Sequence, residues 1–199
     1  METAAHPRIL FKPRTFGMII VTLISSASVR TGVVKTFRWP SLADRGAAIK
    51  AKEICYRGGI AIFPLPKDWI EAYEPSGGGT FYNDVPNSGT LRLNVLGFEN
   101  PDGVTIPPNF EPFRDGLYLR TSKERFVEDG DDCILLSWQI GFPVGEFHFR
   151  IASFTYTIEA AMFRGEQAQY EISVVKTVLK MAEFGRELGL SGDFNHDSP

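Results

Sequence analysis

The stretch Ile134-Leu-Leu-Ser-Trp-Gln-Ile-Gly-Phe142 decides the fold. Its apolar residues Ile134, Leu136, Trp138, Ile140 and Phe142 occupy every second position, the period of a strand with one face in a core. Pro143 to Gly145 turns the chain into a second apolar run. There Phe147, Phe149 and Ile151 share one phase, while Ala152, Phe154, Tyr156 and Ile158 share the other. Such a switch predicts either a bulge or a segment buried on both faces, because one extra residue reverses every side chain after it. The closing element has a different period. Ala168, Ile172, Val175, Leu179 and Ala182 lie on one face of a helix over Glu166 to Phe184, with Lys176, Lys180 and Glu183 opposite. Strands joined by tight turns and then closed by a long amphipathic helix predict an α+β domain with an antiparallel sheet.

Working back from that core, Thr90 to Phe98 is a clear strand, with Leu91, Leu93 and Val95 alternating with Arg92 and Asn94 after Gly89. Gly77-Gly78-Gly79 reads as the turn before a strand at Thr80 to Tyr82. Trp69 to Tyr73 reads as a strand or a tight helical turn. Ile60 and Ile62 begin an edge strand that Pro64 and Pro66 should stop. Pro101 to Asp115 contains four prolines and reads as a long loop. Leu117 to Val127 fits either a strand or a helix, and Glu128 to Asp132 an acidic turn. Before Gly59 the texture changes. A helix over 41–56 is expected there, with Ser41 as its cap, Asp44 completing a weakened capping box and Gly58-Gly59 ending it. The predicted organisation is a basic arm over 1–58, one α+β domain over 59–188 and a tail over 189–199.

Composition narrows the classes of partner. The 199 residues are 43% hydrophobic and 23% charged, enough for one core. A net charge of -3 gives no overall positive field for a polyanion, so nucleic acid is not expected as a partner. Lys12, Arg14, Arg30, Lys35 and Arg38 give the first forty residues or so a basic bias, read as a solvated arm. Cys55 and Cys133 are too few for a disulfide scaffold and form no C-x-x-C pair. Phe16 to Ile24, preceded by Lys12 and Arg14 and followed by Ser25-Ser26-Ala27, has the order of a signal peptide but is too short to span a bilayer. The expected location is the cytoplasm. Export is the alternative if residues 12–27 act as a signal.

The run Trp69-Ile-Glu-Ala-Tyr-Glu-Pro-Ser-Gly-Gly-Gly-Thr-Phe-Tyr-Asn83, the two long strands after Ile134 and the closing helix together resemble the Mog/PsbP-like fold. The resemblance covers Ile60 to Phe184. It implies a curved antiparallel sheet covered by helices, and binding as the common denominator. The family includes a Ran-binding nuclear-transport factor, an oxygen-evolving photosystem subunit and bacterial envelope or immunity proteins. No functional residue of the family matches a position here, so none is carried over.

No chemical constellation stands out. Gly77 to Gly79 precedes a strand and not a helix N-terminus, unlike a phosphate loop. Glu128, Asp129, Asp131 and Asp132 lack the order of a calcium loop. His148 is the one histidine within the predicted domain and has no obvious orienting carboxylate in sequence, although folding could bring Glu146 or Glu159 to it. No catalytic residue, metal site or cofactor is therefore expected. Two binding surfaces are. The first is a polar sheet face carrying Arg92, Asn94, Ser137, Gln139, His148 and Arg150, suited to an acidic protein partner. The second is an aromatic pocket between sheet and helix, lined by Trp69, Tyr82 and Trp138. The expected function is a non-enzymatic interaction module of adaptor, inhibitor or immunity type. A domain binding a small molecule or lipid is the alternative.

Overall fold

A computed structural model describes residues 19–21, 50–75 and 77–185. Its larger sheet is antiparallel and eight-stranded. It comprises β1 (Ile19–Val21), β4 (Ile70–Tyr73), β5 (Gly79–Tyr82), β6 (Thr90–Glu99), β7 (Glu111–Arg114), β8 (Leu117–Glu128), β9 (Asp131–Val144) and β10 (His148–Glu159). The path is β4-β5-β6-β10-β9-β8-β7, with β1 paired to the far end of β6. A second sheet of three strands has the order β11-β3-β2, where β2 is Ala51–Tyr56, β3 is Ala61–Pro66 and β11 is Glu183–Phe184. The helix α1 spans Glu166–Met181. The α+β class holds, but among the described residues one α-helix and a small sheet share the covering of the large sheet.

Side-chain alternation fixes the large sheet's inner face. Leu91, Leu93 and Val95 of β6 pair with Tyr156, Phe154 and Ala152 of β10, which in turn pair with Leu136, Trp138 and Ile140 of β9. β3 packs against this face through Phe63, whose ring meets Phe81 and Phe154 edge-on at centroid distances of 5.6 and 5.7 Å. Phe184 of β11 reaches Phe142 at 5.3 Å. The apolar face foreseen for α1 is buried at Ala168, Ile172, Val175, Leu179 and Ala182, and Lys176 and Lys180 are exposed. The helix ends three residues earlier than its periodicity implies. Ala182 is extended, Glu183 and Phe184 pair with β3, and Arg114 donates to the Ala182 carbonyl at the negative end of the helix.

Several local expectations are corrected. Ala51 to Tyr56, the second half of the expected 41–56 helix, is strand β2; residues 41–49 lie outside the described residues. Ala, Lys and Glu favour a helix here, but pairing with β3 buries Ala51, Ile54 and Tyr56 and overrides propensity. Pro64 and Pro66 do not stop β3, which is the central strand of its sheet. Lys67 donates to the Lys50 carbonyl, so odd-numbered residues address β2 and the prolines address the opposite side. On that side β11 pairs only with Ala61 and Ile62, and no ladder needs a proline donor. Ile19 to Val21, expected within an unstructured arm, pairs with Gly97 to Glu99. The expected long loop of Pro101 to Asp115 contains β7. Turns behave more simply. Asp129 and Gly130, at φ +53° and +96°, form a two-residue hairpin between Glu128 and Asp131, the turn geometry that Asp-Gly supplies.

Candidate functional site

The polar outer face of the large sheet holds part of the expected surface. Arg92, Thr155, Ser137 and Ser122 form one row across β6, β10, β9 and β8, and Asn94, Ser153, Gln139 and Arg120 form the next. His148 and Arg150 do not belong to it. They pair with Glu99 and Gly97 in the phase of Ala152 and Phe154, so they face the other side. β10 runs from His148 to Glu159 with no register shift. Of the two explanations for the phase change, burial on both faces is therefore correct. Phe149 is buried on the outer face beneath Phe110, at 6.1 Å between ring centroids, where Gly141 leaves the space: a Cβ there would stand 2.5 Å from the Phe149 ring. Arg150, only 5% exposed, donates to the Gly185 carbonyl at 3.4 Å, and burial lowers its pKa. The expected two-arginine patch is thus divided between faces. Glu159 lies about 36 Å along the strand from His148 and cannot orient it.

The expected aromatic pocket is also divided. Tyr82 pairs with Thr90 on the outer face, Trp138 is on the inner face, and Trp69 is buried at 2% exposure just before β4. Trp138 lines the concave site that follows.

That site is a groove along the inner face beside α1. It consists of two hollows of about 440 and 540 Å³ that share Lys123 and Phe163 in their walls. β9 supplies an apolar floor of Ile134, Leu136 and Trp138. β8 pairs Arg125, Lys123 and Thr121 with those three residues in turn and raises them as one wall. The other wall is Phe163 and Arg164 from the turn after β10, with Gln169, Ile172 and Lys176 from α1. Gln169 Nε2 donates to the Phe163 carbonyl at 2.7 Å and holds that turn on the helix. Lys123 Nζ stands 4.1 Å from the centre of the Phe163 ring, a cation–π contact. Arg125 grips Asp132 through a fork of hydrogen bonds, with Nε 2.7 Å from Oδ1, and this holds the Asp132 carboxyl below its ordinary pKa. Lys123, Arg125, Arg164 and Lys176 therefore face one another across the groove with Asp132 as the only carboxylate among its lining residues. Sequence reading missed this site because Lys123 and Lys176 meet only through folding.

A second polar cluster was legible but overlooked. Glu171 sits among Ala168, Ile172 and Val175 on the apolar side of α1 and is fully buried. Ser88 Oγ, the Gly89 amide, the Tyr156 hydroxyl and Gln167 Nε2 all donate to its carboxylate at 2.6 to 2.8 Å. Any side chain at Gly89 would come within 2.4 Å of the Tyr156 ring. Four donors satisfy this carboxylate, so it ties helix to sheet and leaves no free valence for a ligand. Among the described residues, no three His, Cys, Asp or Glu side chains gather as a metal site. No helix among them is long and apolar enough to cross a membrane.

No protein-family profile matches this chain, and no curated protein matches it. Two solved structures are similar in part. One, from Bacteroides thetaiotaomicron, is 22% identical with a TM-score of 0.44 over 67% of this chain and 48% of that one. The chain thus spans about half the length of that protein. The other is LpqN, described as involved in cell envelope biogenesis of Mycobacterium tuberculosis, 11% identical with a TM-score of 0.45 over 72% of this chain and 96% of that one.

Four buried or half-buried phenols give the fold a sensitivity to alkali. Burial raises the pKa of Tyr56, Tyr73, Tyr156 and Tyr170, and hydrogen bonds to Glu71 and Glu171 raise Tyr73 and Tyr156 further. A raised folded-state pKa favours the neutral phenol, so this stabilisation is complete below the ordinary tyrosine value of about 10 and fades as pH climbs above it. Thermal melts at rising alkaline pH are expected to fall from that point. Tyr156→Phe should reduce the fall, and an equal fall in the variant would remove Tyr156 from the account.

Proposed function

We propose that this chain is a non-catalytic binding module of the Mog/PsbP-like type, and that its partner is a protein docking an acidic, partly apolar segment into the groove between β8, β9 and α1. The observation that carries this reading is the cationic rim over an apolar floor. An ordinary half-exposed sheet face scatters charges of both signs, as the outer face does with Arg92, Arg120 and Glu124. Here Lys123, Lys176 and Arg164 converge with aromatic and aliphatic surface beneath them. Such a site attracts carboxylates through its rim and gains affinity by covering Trp138, Leu136 and Phe163.

A second reading has the same support: an amphiphilic small anion, such as a fatty acid, could lay its chain over Trp138 and Phe163 and its carboxylate against Lys123. Calorimetric titration separates the two, using a short synthetic peptide that alternates glutamate and valine and, independently, a medium-chain fatty acid. The peptide is expected to bind, and the double change Lys123→Glu and Lys176→Glu to weaken it by roughly tenfold or more. Arg92→Glu on the outer face should leave binding unchanged. Equal affinity of the groove variant would move the site elsewhere, and binding of the fatty acid alone would favour the second reading.

A further inference from the structure

The groove's outer wall is also an open sheet edge. β7 pairs with β8 only at Leu117, Tyr118 and Leu119, so from Arg120 to Glu128 the far side of β8 carries no strand among the described residues. Over that length β8 pairs continuously with β9, without bulge or proline. Successive residues of an antiparallel strand address opposite neighbours, so alternate N–H and C=O groups from Arg120 to Glu128 point away from β9. Natural edges are usually blunted by shortness, bulges, proline or charge. Of these devices, charge is the one this stretch has.

We propose that β8 accepts an acidic segment of the partner protein as an added antiparallel or parallel strand, its carboxylates at alternate positions facing the groove. This rests on the groove being the binding site. The sign of the charge selects the occupant. Lys123 and Arg125 share the inner phase of β8, with Lys176 and Arg164 across the groove, while Glu124 and Glu128 belong to the outer phase. A second copy of this chain pairing through the same edge would stack Lys123 and Arg125 of both copies on one face, like charge against like. A strand with glutamate or aspartate at every second position meets the opposite condition and satisfies the free backbone groups as well. Main-chain hydrogen bonds then supply affinity, and the cationic groove supplies the preference for acid.

The test uses the peptide of about eight alternating glutamate and valine residues, long enough to span most of the free edge, together with two N-methylated versions. One version is methylated on every valine amide and the other on every glutamate amide. Only one of these sets can face β8. One version is expected to lose affinity by roughly tenfold or more, the other to bind nearly as the parent. Amide hydrogen exchange should show new protection at alternate residues of 120–128. If the parent binds, the Lys123→Glu, Lys176→Glu variant weakens it and both methylated versions bind equally without new protection, strand addition is wrong and the groove reading stands. If the parent does not bind at about 1 mM, weaker than any useful recognition, the groove reading falls and strand addition with it.

Discussion

Glu171→Ala is expected to destabilise the domain by roughly 3 to 5 kcal/mol, because a buried acceptor of four hydrogen bonds cannot be removed without stranding its donors. For a chain of this length that corresponds to a fall in Tm of about 10 °C. The Tyr156 hydroxyl and the Gly89 amide would be left in a site closed to water. Graded variants separate this mechanism from simple loss of volume. Tyr156→Phe removes one donor and leaves three on the carboxylate, so it should cost only about 1 kcal/mol. Glu171→Gln keeps the size but turns an acceptor into a donor facing donors, and should fall between the two. Chemical denaturation of the three proteins orders them. A Glu171→Ala protein as stable as the parent would show that the cluster contributes nothing to the fold.

Val175→Asp is expected to leave no folded protein under ordinary conditions, whereas Lys180→Asp is tolerated. Val175 has no exposed surface and faces the core from α1, so an aspartate there must either bury an unpaired charge or pull the helix away from the sheet. Lys180 is solvated, and its replacement changes one surface charge near the helix C-terminus at a cost of a few tenths of a kcal/mol. Far-ultraviolet circular dichroism and gel filtration distinguish the outcomes. Similar behaviour of the two variants would contradict the packing of α1.

Elements whose period is set by one buried face were legible. β6, β9 and the body of α1 carry their face in the spacing of single residue types, and the Asp129-Gly130 turn follows from backbone preferences of two residues. Legibility failed where a neighbour distant in sequence decides the environment. β2 has the composition of a helix and becomes a strand because β3 is beside it. Phe149 marks a buried phase only because Phe110 covers the outer face, which misplaced His148 and Arg150. Glu171 could have been found. A carboxylate three residues after Ala168 and four before Val175 lies within the apolar stripe, and a buried charge in a stripe implies donors opposite it. The groove could not, since its walls come from β8 and α1 and its shape depends on where the helix stops covering β9.

The three-stranded sheet sets the order in which the molecule can be completed during synthesis. Its middle strand β3 is among the earliest described elements to be made, but its partner β11 follows the helix at the far end of the domain. Phe63, Phe81 and Phe154 can already meet once β10 has been translated, yet Ile172, Val175 and Leu179, which belong to the same core, have still to be made. At about 5 to 20 residues per second, the nascent sheet waits on the order of a second or more with an oily face uncovered. Non-local pairing of this kind also folds slowly, in milliseconds to seconds. Until α1 has been made, the part of the sheet that it covers keeps its apolar face in water, the state from which a half-made chain aggregates.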